Sequence, residues 1–355
     1  MTIKLIQELS DAFGPSGFEE EVVSVVKKHS SNLEFKVDYM NNTYLSLKSN
    51  TGSRPLLMLD AHLDEVGFMV QSILGNGLIS FIPIGGWIPS NVPAHTVLIK
   101  NQKGQKIRGI VASKPPHFMT DGEKTAPLSL DQLTIDVGAS SREEVMREYA
   151  IQIGDPIAPE VSFEYNKDSG IMFGKAFDNR LGCAALMMTM EALAKLSNLP
   201  FDVIGALASQ EEVGTRGAQV TAQVVKPDVA IVFEGSPADD LYMDKDSAQC
   251  VLNRGTQIRH MDASYISHHR LIQFAKKVAN DHHIPYQSAV RKRGGTNAGR
   301  IHMAHQGVPV LVLGVPSRYI HTHYNFAAIN DLEATVALAK QVALQLDLTS
   351  LVYNY

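Results

Sequence analysis

The chain has 355 residues, 45% of them hydrophobic and 19% charged, with a formal net charge of -5. That suffices for one large domain with an insertion or for two domains, and an acidic chain with no long basic run excludes nucleic acid and anionic membranes as expected partners. Two isolated cysteines, no signal-peptide core and no apolar run of membrane-spanning length predict buried thiols, a cytoplasmic location and no disulfide framework.

In chain order, residues 3–13 set Leu5, Ile6, Leu9 and Phe13 on one helical face. Gly14-Pro15-Ser16-Gly17 stops that helix. Ser16 followed by Glu19 has the spacing of a capping box, which predicts a second helix through Val22, Val23, Val25 and Val26. Two short strand-like runs come next, then a buried strand over 55–61 that ends at His62-Leu63-Asp64-Glu65-Val66-Gly67. From 68 to 163 short alternating runs, such as 77–84, 96–99 and 106–111, are separated by Gly, Pro, Asn and Asp. That pattern predicts a small inserted β-barrel or sandwich, interrupted by a short helix over 141–148 and the turn Gly154-Asp155-Pro156.

Beyond Gly170 the spacing predicts helices near 179–196, 216–225, 264–281 and 331–347, with strands at 202–208, 229–234 and 309–314. Strands alternating with helices imply an α/β fold, a mostly parallel sheet covered by helices on both faces. The expected division is a catalytic part, 1–67 with 164–355, and an inserted barrel, 68–163.

Ligands of an open α/β sheet bind beyond the carboxyl ends of its strands. The run 56–61 is followed at once by His62 and Asp64, 203–208 by Glu211 and Glu212, and 229–233 by Glu234. His321 and His323 come within ten residues of 310–313, and Asp178 stands at the start of a predicted helix. Adjacent buried carboxylates such as Glu211 and Glu212 are costly unless something positive receives them. Two imidazoles with three carboxylates suit zinc, cobalt or manganese, and two ions more naturally than one.

A dinuclear site needs a bridging carboxylate and a base for the water held between ions roughly 3.5–4 Å apart. The expected arrangement is Asp178 as bridge, His62 and Glu234 on one ion, and Glu212 and His321 on the other. Glu211 is left as general base, and Asp64, two residues past His62 on strand spacing, fixes the imidazole tautomer. For His323 the simpler expectation is a bystander beside His321.

Four of these stretches closely resemble the glutamyl aminopeptidase and tetrahedral aminopeptidase family, dinuclear metallopeptidases of the zinc exopeptidase superfamily. They are Ala61-His62-Leu63-Asp64-Glu65-Val66-Gly67-Phe68, Lys175-Ala176-Phe177-Asp178-Asn179-Arg180, Gln210-Glu211-Glu212-Val213-Gly214 and Arg318-Tyr319-Ile320-His321. Gly14-Pro15-Ser16-Gly17, Gly85-Gly86-Trp87 and Ile135-Asp136-Val137-Gly138-Ala139-Ser140 are similar to further family landmarks. The resemblance implies the same ligand set, the same base, and a barrel that pairs subunits into homodimers and hollow homododecamers. It also implies peptide substrates with a free N-terminus.

Two positions depart from the family pattern: Glu234, where many relatives carry Asp, and Asn297 in Gly294-Gly295-Thr296-Asn297-Ala298, where many carry Asp. The competing readings are a related deacylase or dipeptidase and a non-catalytic metal-bound scaffold; a complete ligand set with Glu211 beside it argues against the scaffold. Arg259, His260, His268 and Arg293 fall in polar segments that would select an acidic first residue if they faced the substrate, and otherwise form a solvated loop.

Overall fold

The computed structural model describes residues 2–352; Met1 and 353–355, the outer ends of the expected catalytic part, lie outside the described residues. Its centre is a mixed sheet whose four middle strands are parallel. Asp202–Ala208, Leu56–His62, Val229–Pro237 and Val310–Arg318 lie side by side in that order. Antiparallel strands extend both flanks: Thr43–Leu47 and Leu33–Val37 on one side, Asn325–Ala328, Ile171–Gly174 and Glu164–Asn166 on the other.

The middle strands are apolar on both faces, and the two faces sort by the strand period of two. Leu57, Leu59, Ile231, Phe233, Leu311 and Leu313 enter one core, under the helices Thr2–Asp11, Phe177–Leu193 and Ile329–Gln345. Met58, Ala230, Val232, Val310 and Val312 enter another, under Arg216–Val225 and Ala298–Ile301. Phe177–Leu193 is apolar nearly all round because it runs between the sheet and two other helices.

The inserted segment forms a closed six-stranded barrel with its own core. Going round, its strands are Gly67–Ile73, Ile79–Ile84, Thr134–Asp136, Lys106–Val111, Thr96–Lys100 and Pro156–Pro159. Phe68, Val70, Phe81, Val97, Ile99, Ile135 and Ile157 fill it. Closure leaves no free strand edge.

Two local expectations fail. The capping box does not form: the Ser16 hydroxyl donates to Asp64 Oδ2 at 2.6 Å, Glu19 turns inward, and the helix Glu20–Lys28 starts without a side-chain cap. The helix expected over 264–281 begins only at His269, and Thr256–Met261 upstream is a strand paired with Val310–Arg318. Its partner strand needs an edge covered, and that tertiary demand is invisible in a short run of mixed polarity. No helix among the described residues is long and apolar enough to cross a membrane. Cys183 and Cys250 are free thiols, both buried.

Candidate metal centre

The carboxyl ends of the four parallel strands open into one crevice. His62 closes its strand opposite Ala208, and Glu234 lies within its own strand opposite Gly314. Glu211 and Glu212 follow Ala208 through Gln210, whose φ of 52° is left-handed. His321 follows Arg318 through Tyr319, and both Tyr319 and His321 have positive φ, 61° and 58°. Asp178 opens its helix with non-helical backbone, behind Ala176 at φ 56°. Left-handed backbone at non-glycine residues costs of order 1–3 kcal/mol each, so the surrounding packing holds these turns in place. Gly235 makes the Asp178 turn sterically feasible: a Cβ there would stand 2.5 Å from the Phe177 carbonyl oxygen and 2.7 Å from Asp178 Cα.

These turns bring six candidates together. His62 Nε2 lies 3.2 Å from Asp178 Oδ1, 3.8 Å from Glu234 Oε1 and 4.0 Å from Glu211 Oε2. His321 Nε2 lies 3.5 Å from Asp178 Oδ2 and 3.6 Å from Glu212 Oε2. One oxygen of Asp178 therefore faces each histidine. Three triplets of donor atoms fall within 4.8 Å: His62–Asp178–Glu234, Asp178–Glu212–His321 and His62–Glu211–Glu212.

The donors are aimed by their neighbours. His62 Nδ1 stands 3.2 Å from the Asp64 carbonyl and 3.4 Å from Asp64 Oδ1, two acceptors that require the proton on Nδ1 and leave the Nε2 lone pair for a cation. The Asp64 carboxylate also accepts the backbone N–H groups of Glu211 and Glu212 at 2.9 and 3.1 Å. Asn179 Nδ2 donates to Glu234 Oε2 at 3.1 Å and to the Phe233 carbonyl. Behind Asp64, Glu65 is buried against Lys175 and Arg180, tying the His62 turn to the Asp178 turn.

The electrostatics favour added positive charge. Burial and neighbouring carboxylates push Glu211 up to about 7 and Glu212 and Glu234 well above the usual carboxylate range, against the pull of the histidines. Burial disfavours the charged form of Asp178 too, but His321 and His62 overcome it and hold this carboxyl low. Both imidazoles are in turn driven up, against their own burial, by Asp178 and the acids around them. Convergent carboxylate oxygens with two imidazole Nε2 atoms are hard and borderline donors matched to divalent zinc, cobalt or manganese. The donor set fits such ions.

Other candidates lie apart. His323 is 1% exposed and stacks on His95 of the barrel at 4.1 Å between ring centres, outside the cluster. Arg259 is no loop residue: it sits buried on Thr256–Met261, donating to Ser236 Oγ at 2.8 Å and pairing with Asp262 at 3.3 Å. From there its charge favours ionised Glu234. His268 precedes the helix His269–Asp281, where its Nδ1 accepts the Leu271 N–H. Asn297 is buried and donates to Asp60 Oδ1 at 2.8 Å, so a carboxylate lies at this place on the facing strand instead. Asn179, Ser16 and Glu19 were not singled out from the sequence as site residues. Asn179 and Ser16 stand inside landmark stretches, while the spacing of Ser16 and Glu19 pointed to a helix cap and not to the site.

Residues 41–338 match the model of the M42 glutamyl aminopeptidase family. The glutamyl aminopeptidase of Lactococcus lactis subsp. cremoris is 32% identical over 348 residues, covering 98% of this chain and 95% of that one. The lysyl aminopeptidase of Pyrococcus furiosus is 31% identical over 345 residues, 95% of each. A solved TET aminopeptidase from a marine-sediment Thaumarchaeota archaeon superposes with a TM-score of 0.93 at 36% identity, covering 99% of this chain and 98% of that one. With these matches and a donor cluster fit for divalent ions, the chain belongs to the M42 glutamyl aminopeptidase family and is a metalloaminopeptidase.

Proposed function

We propose that the enzyme binds two divalent ions per chain, zinc, cobalt or manganese, and removes first residues from peptides with a free N-terminus. His62 and Glu234 hold one ion, Glu212 and His321 the other, and Asp178 lies between. What supports this assignment is Asp178, whose two oxygens face His62 and His321 at 3.2 and 3.5 Å.

Bound there, the ions supply Lewis-acid polarisation of the scissile carbonyl and make water more acidic. The rest is done by the chain. Glu211 takes the proton of the attacking water on its carboxylate and passes it to the leaving amine. Asp64 holds the Glu211 and Glu212 amides, and so the direction of both side chains. Glu211→Gln should keep both ions, measured by elemental analysis, while turnover falls about 10²–10⁴-fold. Wild-type turnover in that variant would remove Glu211 from the role of base.

The barrel is proposed to join copies of the chain into dimers and, through them, dodecamers. Its outer surface carries exposed Ile82, Ile110 and Ile153. Light scattering on the purified protein tests this, and a monomer at micromolar concentration would refute it.

A further inference from the structure

Four consecutive backbone N–H groups at the turn that carries the two glutamates end on side-chain oxygens. Ser209 N–H donates to Asn42 Oδ1 at 2.9 Å, and Gln210 N–H to Glu19 Oε1 at 3.3 Å. Glu211 and Glu212 donate to the two oxygens of Asp64. Buried amides need partners, and a strand-to-helix turn has few carbonyls to offer. Here the partners come from three separate loops of the first 64 residues, and Glu19, Asn42 and Asp64 are all 0% exposed.

The acceptors are themselves fixed. Asn42 Nδ2 donates to Asp38 Oδ2 at 2.8 Å, which turns its Oδ1 towards Ser209. A Cβ on Gly217 would stand 2.4 Å from that Oδ1, so the helix start leaves room for it. Glu19 Oε1 also accepts the Gly17 N–H at 2.7 Å, and its Oε2 accepts Asn41 Nδ2 at 3.2 Å. Glu19 thus reaches the turn from the loop before the helix Glu20–Lys28. It lies in none of the donor triplets described above.

We infer that Glu19 is a positioning residue for Glu211: by holding the Gln210 amide in its left-handed turn, it fixes the direction of the base. The inference rests on Glu211 being that base. Asp64 secures the two amides downstream, and Glu19 the one at the bend itself. Loss of the Glu19 acceptor frees Gln210 to relax from φ 52° and shifts the adjacent Glu211, without removing any candidate ligand.

The test compares Glu19→Ala and Glu19→Gln with wild type, each in the wild-type and Glu211→Gln backgrounds, using kcat, KM and metal content. Glu19→Ala should lower kcat about 10–100-fold, with KM and ion content within about twofold of wild type. Glu19→Gln keeps an acceptor oxygen and should restore kcat. In the Glu211→Gln background Glu19→Ala should add no more than about twofold, since residues acting through one another are non-additive. Wild-type kcat in Glu19→Ala, or losses that multiply in the double variant, would overturn the inference. If Glu19→Ala does not fold, Glu19→Asp withdraws the carboxylate by one methylene and is read the same way. Full activity of Glu211→Gln alone would instead overturn the reading of the site on which the inference rests.

Discussion

The Gly86 carbonyl oxygen, on a barrel loop, accepts a hydrogen bond from His321 Nδ1 at 2.9 Å. A carbonyl can only accept, so Nδ1 keeps its proton and Nε2, which faces Asp178 and Glu212, is the nitrogen left to bind an ion. The barrel thereby sets the tautomer of a candidate ligand that belongs to the other core. His95 of the barrel stacks on His323 two residues further on, pressing the same segment.

That link gives a first prediction. A Cβ on Gly86 would stand 3.2 Å from His321 Nδ1, so Gly86→Val should push the ring off its axis. Metal affinity should fall about 10–100-fold, as it does when a ligand loses its orienting partner. Calorimetric titration with zinc measures it, and unchanged affinity would mean that the Gly86 contact does not aim the ring.

The two neighbouring histidines should behave differently. His321→Phe removes a donor from the cluster and should cost an ion and most turnover. His323→Phe keeps a ring against His95 and should leave ion content at the wild-type value, with stability within about 1 kcal/mol because the swap roughly conserves volume and shape. Elemental analysis of the two variants, with urea melts of the second, decides between a ligand and a packing residue.

Chelation should destabilise the fold as well as silence it. Burial and like charge oppose ionisation of Glu212 and Glu234, and bound cations would relieve that opposition. Ions at about 1,000 times their Kd contribute about 4 kcal/mol to the folded state. Thermal melts with EDTA, and after zinc is returned, should show a lowered Tm that recovers. Equal Tm values would place the ions outside the folded-state balance.

Both thiols should be inert in the native protein. Burial pushes Cys183 and Cys250 up to about 12, and the thiolate is the reactive form. Ellman's reagent should find no reactive thiol at pH 8 before denaturation and two afterwards. Rapid native reaction at either would show that its surroundings open to solvent.

Much of the fold was legible because its signals are local. Apolar runs bounded by carboxylates and histidines mark parallel strands whose ends share a crevice, and the donor atoms of His62, Glu211, Glu212, Glu234 and His321 do lie close together there, with Asp178 joining them from a helix start. What escaped depends on distant partners. Ser16 and Glu19 have capping-box spacing, yet the Asp64 carboxylate takes the Ser16 hydroxyl and the Gln210 N–H takes Glu19, so neither caps the helix end. Thr256–Met261 gave no strand signal because its place is set by Val310–Arg318, not by its own alternation. The Gly86 contact uses a backbone carbonyl, which no residue type announces.

The most direct test is a metal titration of chelated protein. It is followed by release of first residues from a peptide with a free N-terminus, beside its N-acetylated twin. Activity should rise to a plateau at two ions per chain and appear only on the free peptide. A plateau at one ion, or equal cleavage of the acetylated peptide, would contradict a two-ion aminopeptidase centre built on Asp178.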